Sequence, residues 1–323
     1  MRLRATLFSL GVTVLGLAAL VGGSLPARAG MSYSYSTINV PGASTTSAYD
    51  INNAGQVVGS FYNGSGTQGF LLSGGVYTPI NAPGADGYTA AEGINNTGTI
   101  SGQFASASGF TLSGGVYTSF NVPGALQTYT YKLNDSGQVV GSYLAAGGGQ
   151  YGFLNSGGTF TMLQVPGAEM TSAAGIDNAG DIVGVYESGV TTGAFLYSGG
   201  VYTLLTPPAA GDVVEAQGIN NNGEIVGSLF EGGNQYGFAL VGGSYSVLNV
   251  PGSVNTDAIG VNDAGDIVGT YTTQVGDNYV HSAFLATPEV TPEPASITLC
   301  GSGLLGMLGI AVLQGRRRAR NRG

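Results

Sequence analysis

The sequence predicts an all-β protein, a six-bladed β-propeller of four-stranded blades, and three observations carry that expectation. The first is a period. At Ile51, Ile94, Leu133, Ile176, Ile219 and Val261 an apolar residue is followed by Asn or Asp, two further residues, a Gly and, one residue on, Val/Ile-x-Gly, with starts 43, 39, 43, 43 and 42 residues apart. Repeats of this length mark radially repeated or stacked β architectures. The second is that each unit has room for four short strands, A to D, with A ending at the Asx. The third lies at the ends of the repeat. The sixth unit stops after its C strand, Ala283-Phe284-Leu285, whereas Tyr35 to Ala43 matches the D-strand segment Tyr77 to Ala85 with no A, B or C strand before it. A strand missing at one end and an unattached one at the other suit a ring closed by the N-terminal strand; an open solenoid would carry atypical caps at both ends.

Chain order gives the rest. Arg2 and Arg4 precede an apolar run from Leu7 to Val21, and Ala27-Arg28-Ala29 offers a small-x-small cleavage pattern, so residues 1–29 read as a signal peptide with a mature start at Gly30. In Ile51-Asn52-Asn53-Ala54-Gly55 the Asx opens a turn and Gly55 takes the left-handed position, with Asn95, Asn134, Asp177, Asn220 and Asn262 as its counterparts. Strand B follows (Gln56 to Phe61), then a variable loop, strand C (Gly69 to Leu72), a Ser-Gly-Gly turn and strand D (Val76 to Asn81). Pro79 places D at an outer edge, because proline cannot donate to a ladder. Strand A is then innermost, and its small residues Ala48, Ala91, Thr130, Ala173, Ala216 and Ala258 suit crowding near an axis. Phe70, Phe110, Phe153, Phe195, Phe238 and Phe284 recur in register in strand C as core between blades. The propeller is expected over residues 30–290.

Residues 291–323 form a different segment. Ala295 to Leu313 is uncharged and long enough to span a bilayer as a helix, and Arg316, Arg317, Arg318, Arg320 and Arg322 follow it. The single cysteine, Cys300, lies in that apolar run, so residues 30–290 have no thiol and form no disulfide. These residues hold seventeen acids against one base, Lys132, a formal charge of −16. Such a surface repels phosphate backbones, which argues against nucleic acid as a partner.

Two resemblances follow. The Gly-Ile-Asn-Asn-x-Gly-x-Ile segments (Gly93 to Gly102, Gly218 to Gly227) and Gly/Ala-Phe-Leu strands (Gly69 to Leu71, Ala194 to Leu196) resemble the HAF repeats of bacterial extracellular proteins over about residues 33 to 287. That family implies location and architecture rather than chemistry. Pro292-Glu293-Pro294, the apolar helix and the arginine cluster resemble a PEP-CTERM sorting signal. The resemblance implies processing by a membrane-embedded exosortase in exopolysaccharide-making Gram-negative bacteria, with the chain transiently held in the inner membrane and then extracellular or on the cell surface.

Signs of chemistry are few. A nucleophile–base pair needs histidine or an exported cysteine, and the chain has one histidine, His281, in the B-to-C loop Thr272 to Ser282. Candidate binding residues are the acids of the D-to-A and B-to-C loops, Asp86, Glu169, Glu187, Asp212, Glu215, Glu231, Asp257 and Asp277, together with His281 and Lys132. Two carboxylates about 5 to 10 Å apart would suit a glycosidase, although these acids share no register. Lys132 is expected to pair with Glu92 or Asp50, or else to anchor a ligand in a central channel. Tyr49, Tyr88, Tyr129 and Tyr131 near the inner strands could stack on a sugar. No cofactor is expected; oxygen-rich turns such as Asp177 to Asp181 and Asn262 to Asp266 leave calcium open. The expectation is a non-enzymatic, exported propeller binding a glycan or protein partner, with a polysaccharide hydrolase or lyase and a purely structural matrix protein as alternatives.

Overall fold

The computed structural model of the chain describes residues 31–105 and 108–289. The expected signal peptide, Pro292, Glu293 and Pro294, and the apolar helix after them lie outside the described residues. Among the described residues there are twenty-four strands and no helix. They form four-stranded antiparallel units of one design, with single parallel pairings (Gln150 with Met170, Gln235 with Asn255) joining two pairs of units into larger sheets, so the fold is all-β and propeller-like.

The strands follow the repeat. β1 (Tyr33–Ile38) stands alone before the first unit, β2 (Thr45–Ile51), β3 (Val57–Tyr62), β4 (Thr67–Ser73) and β5 (Val76–Ile80). Next come β6 (Thr89–Ile94), β7 (Ile100–Phe104), β8 (Ser108–Ser113) and β9 (Val116–Phe120), then β10 (Ala125–Leu133), β11 (Val139–Ala145), β12 (Gln150–Ser156) and β13 (Thr159–Leu163). The fourth unit holds β14 (Met170–Ile176), β15 (Ile182–Ser188), β16 (Thr191–Ser198) and β17 (Val201–Leu204). The fifth holds β18 (Val213–Ile219), β19 (Ile225–Glu231), β20 (Asn234–Val241) and β21 (Ser244–Leu248), and the last β22 (Asn255–Val261), β23 (Ile267–Val275) and β24 (Asn278–Pro288). Each unit pairs A with B, B with C and C with D, as in β2-β3-β4-β5. β24 has no following D strand; β1 pairs with it antiparallel, with Thr37 opposite Phe284.

Local chemistry explains the turns. Gly55 has φ +71°, a region that costs an L side chain energy. Asn52 Oδ1 accepts from the N–H groups of Ala54 and Gln56, so the side chain satisfies the turn that its backbone opens. Pro79 sits on β5, which pairs only with β4, so its missing N–H leaves no gap in a ladder.

The core lies between sheets. The six strand-C phenylalanines are fully buried, and Tyr77, Tyr117, Tyr202 and Tyr245 each set a ring against the phenylalanine of their own sheet at 5.2 to 5.6 Å between centroids. The small A-strand residues sit where sheets crowd together, as expected. Ala91, Ala173 and Ala258 back onto Gly69, Gly152 and Gly237 of the preceding sheet's C strand, where an added Cβ would lie 3.2 to 3.3 Å from its neighbours. They set the spacing between sheets, and other side chains face the axis.

Candidate functional site

The axis is built by one irregularity repeated six times. Every A strand breaks register with its B strand shortly before the apolar anchor, between Ala48 and Asp50, Ala91 and Gly93, Thr130 and Leu133, Ala173 and Gly175, Ala216 and Gly218, and Ala258 and Gly260. A bulge re-aims a side chain. The residues thrown out of the ladders, Tyr49, Glu92, Tyr131, Ala174, Gln217 and Ile259, all line one cavity of about 460 Å³. The repeated Val/Ile-x-Gly supplies the room: a Cβ at Gly59 would lie 1.9 Å from Ser47 O.

The next residue in each A strand forms a waist of Asp50, Gly93, Lys132, Gly175, Gly218 and Gly260. The glycines are required by close approach, since a Cβ on Gly218 would lie 2.6 Å from Ile259 O and one on Gly260 would lie 2.7 Å from Asp50 Cα. The two charged members close it. Lys132 Nζ lies 3.2 Å from Asp50 Oδ1 and donates to Ile259 O at 2.6 Å. Ile94 N donates to Asp50 Oδ2 at 3.0 Å. Burial pushes the Asp50 carboxyl up, opposed by Lys132 and by that N–H. Of the two partners expected for Lys132, the structure places Asp50 in the ion pair.

Below the waist a second cavity of only about 50 Å³ is lined by the Asx turns. Here the residue after each turn-opening Asx is itself Asn or Asp, a pattern the sequence analysis missed although it is visible in all six units. Asn53, Asn96, Asp135, Asn178, Asn221 and Asp263 accept in turn from each other's backbone: Asn53 N donates to Asn96 Oδ1, and so on round to Asp263 N, which donates to Asn53 Oδ1 at 2.9 Å. Asp135 accepts Nδ2 donors from Asn96 and Asn178, and Asp263 those of Asn53 and Asn221. Partial burial raises these two carboxyls, but the hydrogen bonds outweigh it and hold both below the usual carboxylate range. The oxygen-rich turns at which calcium was left open use a side-chain oxygen in the same way, Asp177 Oδ1 accepting from Asp181 N and Asn262 Oδ1 from Asp266 N. Among the described residues no group of three or more His, Cys, Asp or Glu side chains is placed to hold a metal.

Above the waist three carboxylates face the larger cavity. Burial pushes Glu92 up to about 8, against the Gln103 amide that donates to Oε1 at 3.0 Å and the attraction of Lys132. Burial likewise pushes Asp257 up to about 6, although Ser228 and Gln217 both donate to its Oδ1. Glu215 is raised by burial and then by repulsion from Asp257 and Glu187. Burial also raises Tyr49, whose hydroxyl shares a hydrogen bond with Ser60 Oγ at 2.9 Å, and Tyr131.

Of the expected site residues, Lys132, Glu215 and Asp257 thus meet at the axis. Glu215 and Asp257 were expected in loops; they lie within β18 and β22, because the A strands begin earlier than the apolar pattern suggests. Asp86, Glu169, Asp212 and Asp277 stay outside the cavity. Asp86 sits in a turn at φ +46°, Glu169 N donates to Glu187 O at 2.8 Å, and Asp212 Oδ2 accepts from Ala209 N. His281 is not in a loop either. β23 and β24 run on to a hairpin turned at Gly276-Asp277, and His281 pairs with Thr272, its Nδ1 3.0 Å from the Thr272 hydroxyl. It lines a separate surface pocket of about 350 Å³ with Thr272 and Tyr279.

Comparison with known proteins gives the class but no family. No known protein family and no curated protein matches the sequence. Solved structures do. TolB from Acinetobacter baumannii is similar at a TM-score of 0.52 and 13% identity, over 78% of this chain and 65% of that one. YCF48 bound to D1 peptide (TM-score 0.43, 10% identity, 81% of this chain and 97% of that one) and Trypanosoma rangeli sialidase (0.43, 8%, 80% and 59%) are similar more distantly. At these identities the likeness speaks for a propeller-like fold alone.

Proposed function

We propose that the chain is an exported six-bladed β-propeller, closed by β1 on β24, that binds a glycan or protein partner at the cell surface or in the extracellular matrix through its axial cavity. The observation that carries the binding reading is that cavity: six bulged residues converge on about 460 Å³ of polar, tyrosine-lined space, a size typical of small-molecule sites. The ladder of β1 on β24 supports the closure, as does the hydrogen bond from Asp263 N to Asn53 Oδ1 across 210 residues. The HAF-like repeat, the leader and the PEP-CTERM-like tail support export and exosortase processing at Pro292-Glu293-Pro294. The test is calorimetric titration of the purified protein with the producing strain's polysaccharide, beside a Tyr131→Ala variant. Saturable binding that the variant weakens at least tenfold (about 1.4 kcal/mol) supports the reading; no binding to any glycan overturns the glycan reading and leaves a protein partner or a structural matrix role.

One observation favours a second reading, a hydrolase or lyase acting on polysaccharide. Glu92 and Asp257 share a cavity with carboxyls raised to different extents, about 8 and about 6, and such a pair can divide acid and base roles. Release of reducing ends from the polysaccharide, lost in Glu92→Gln, would establish it.

A further inference from the structure

The charges of the axial cavity do not balance, and the imbalance identifies a ligand class. Lys132 is the only lysine or arginine between residues 31 and 289, and its ammonium is held by Asp50 and Ile259 O at the waist. Three further carboxylates face the space above it. Gln103 reaches one oxygen of Glu92, and Ser228 and Gln217 both reach the same oxygen of Asp257. Glu92 Oε2, Asp257 Oδ2 and both oxygens of Glu215 receive no hydrogen bond from the described residues, and all three side chains are half-buried around the cavity. Glu215 and Asp257 are like charges drawn together in a half-enclosed space, where they repel each other. A cation in the cavity would satisfy both.

We propose that the axial cavity receives an ammonium group, held by Glu215 and Asp257, on a hydroxyl-rich ligand of the amino-sugar class. Several observations choose this over the alternatives. A divalent metal would need a tighter set of ligands than these carboxylates provide among the described residues. An anionic sugar, such as a uronic acid, would meet the carboxylates of Glu215 and Asp257 and no free cation. Tyr49 and Tyr131 offer ring faces that attract an ammonium or the apolar face of a sugar. Ser47, Ser172, Thr270 and the Gln217 amide, which also line the cavity, supply neutral partners for hydroxyls. The proposal rests on the reading of this cavity as the glycan site and narrows it to one charge class.

The experiment compares, by calorimetry at about pH 6, a glucosamine tetrasaccharide, its fully N-acetylated counterpart and a neutral glucose tetrasaccharide. The amine form is expected to bind at least roughly tenfold more tightly than either, and Glu215→Gln and Asp257→Asn are each expected to remove most of that preference. Glu289→Gln, exposed and away from the cavity, should leave it unchanged, and urea midpoints for all variants show whether each is folded. If the N-acetylated or neutral sugar binds as well as the amine, the ammonium site is wrong while glycan binding stands. If no sugar binds, both fall. Amine binding that ignores Glu215→Gln and Asp257→Asn is diffuse attraction to an acidic surface and overturns the site. A lysine-rich peptide binding more tightly than the amino sugar overturns the sugar class.

Discussion

Asp50 and Lys132 illustrate how much a single pair can decide. Four of the six waist positions are glycine because backbones meet there, so the two side chains that remain fill the axis and separate the small cavity from the large one. Removing one partner of a buried pair leaves an uncompensated charge, which costs about 3–5 kcal/mol, whereas removing both is far cheaper. Lys132→Met should therefore lower stability by about 3 kcal/mol, and Asp50→Asn added to it should restore most of the loss, both read from urea unfolding. Failure of the second change to rescue would show that the lysine acts through packing alone. Glu92 gives a prediction in pH. Its folded pKa, about 8, lies above its ordinary value of 4.5, so the folded state holds a proton that the unfolded state has lost across that interval. Stability should fall as pH rises from about 4.5 to 8 and then level off, by a Glu92 share on the order of 2–3 kcal/mol at ~1.4 kcal/mol per unit after allowance for cavity water. Asp135 and Asp263 act in the opposite sense. Their lowered pKa values contribute stability at neutral pH that is lost in acid, below their ordinary value of 3.8. Comparing urea midpoints at pH about 5 and about 8.5, the wild type should be weaker at the higher pH and Glu92→Gln should lose much less between the two.

At the scale of the strand, the sequence was legible where chemistry is periodic and silent where one residue breaks the period. Turn glycines, the Asx opener, the strand-C phenylalanines and Pro79 at an edge each have a local cause that repeats in register. The A-strand bulge does not announce itself. It inserts one residue into an alternating pattern, so Glu92 was legible only as an expected partner of Lys132, Gln217 was not singled out, and Glu215 and Asp257 looked like loop acids. Its only trace is the glycine opposite, such as Gly59, which was read simply as part of strand B. His281 was misplaced for the converse reason: Thr272 to Ser282 has no apolar alternation, yet β23 and β24 continue through it as an exposed hairpin. The bulge account predicts unequal glycines. Gly59→Ala drives a Cβ to 1.9 Å from Ser47 O and to 2.8 Å from the Phe70 ring, and should cost about 3 kcal/mol or more. Gly74→Ala, at φ +56° in open space, should cost about 1–2 kcal/mol from backbone strain alone. Equal losses in thermal unfolding would mean that the bulge is looser than its geometry.

For the molecule as a whole, the decisive contact is the last to form in chain order. β1 comes from the start of the described chain, yet its six ladder pairs all lie on β24, and Glu289 N donates to Ser32 O at 2.8 Å, so the two ends of the described chain leave the same sheet side by side. The strand also brings core: Ile38 and Val40 are buried in a cluster with Ala48, Phe70 and Ala283, and Tyr35 sets its ring against Phe284 at 6.0 Å. Covalent order should therefore matter less than the presence of the strand. Deleting residues 31–40 should lower the thermal midpoint by more than 10 °C, since two buried aliphatic side chains and a ladder are worth several kcal/mol and about 1 kcal/mol moves a domain of this size by roughly 2–4 °C. It should also leave the edge of β24 open to pair with another chain, seen as dimers or larger species in light scattering. A circular permutant that joins residue 289 to residue 31 through a short linker, with new ends between Gly74 and Gly75, keeps every ladder except the innermost pairs of one hairpin and should stay monomeric with near-native stability. If the permutant unfolds while the deletion survives, sheet completion by β1 is not what holds the fold together.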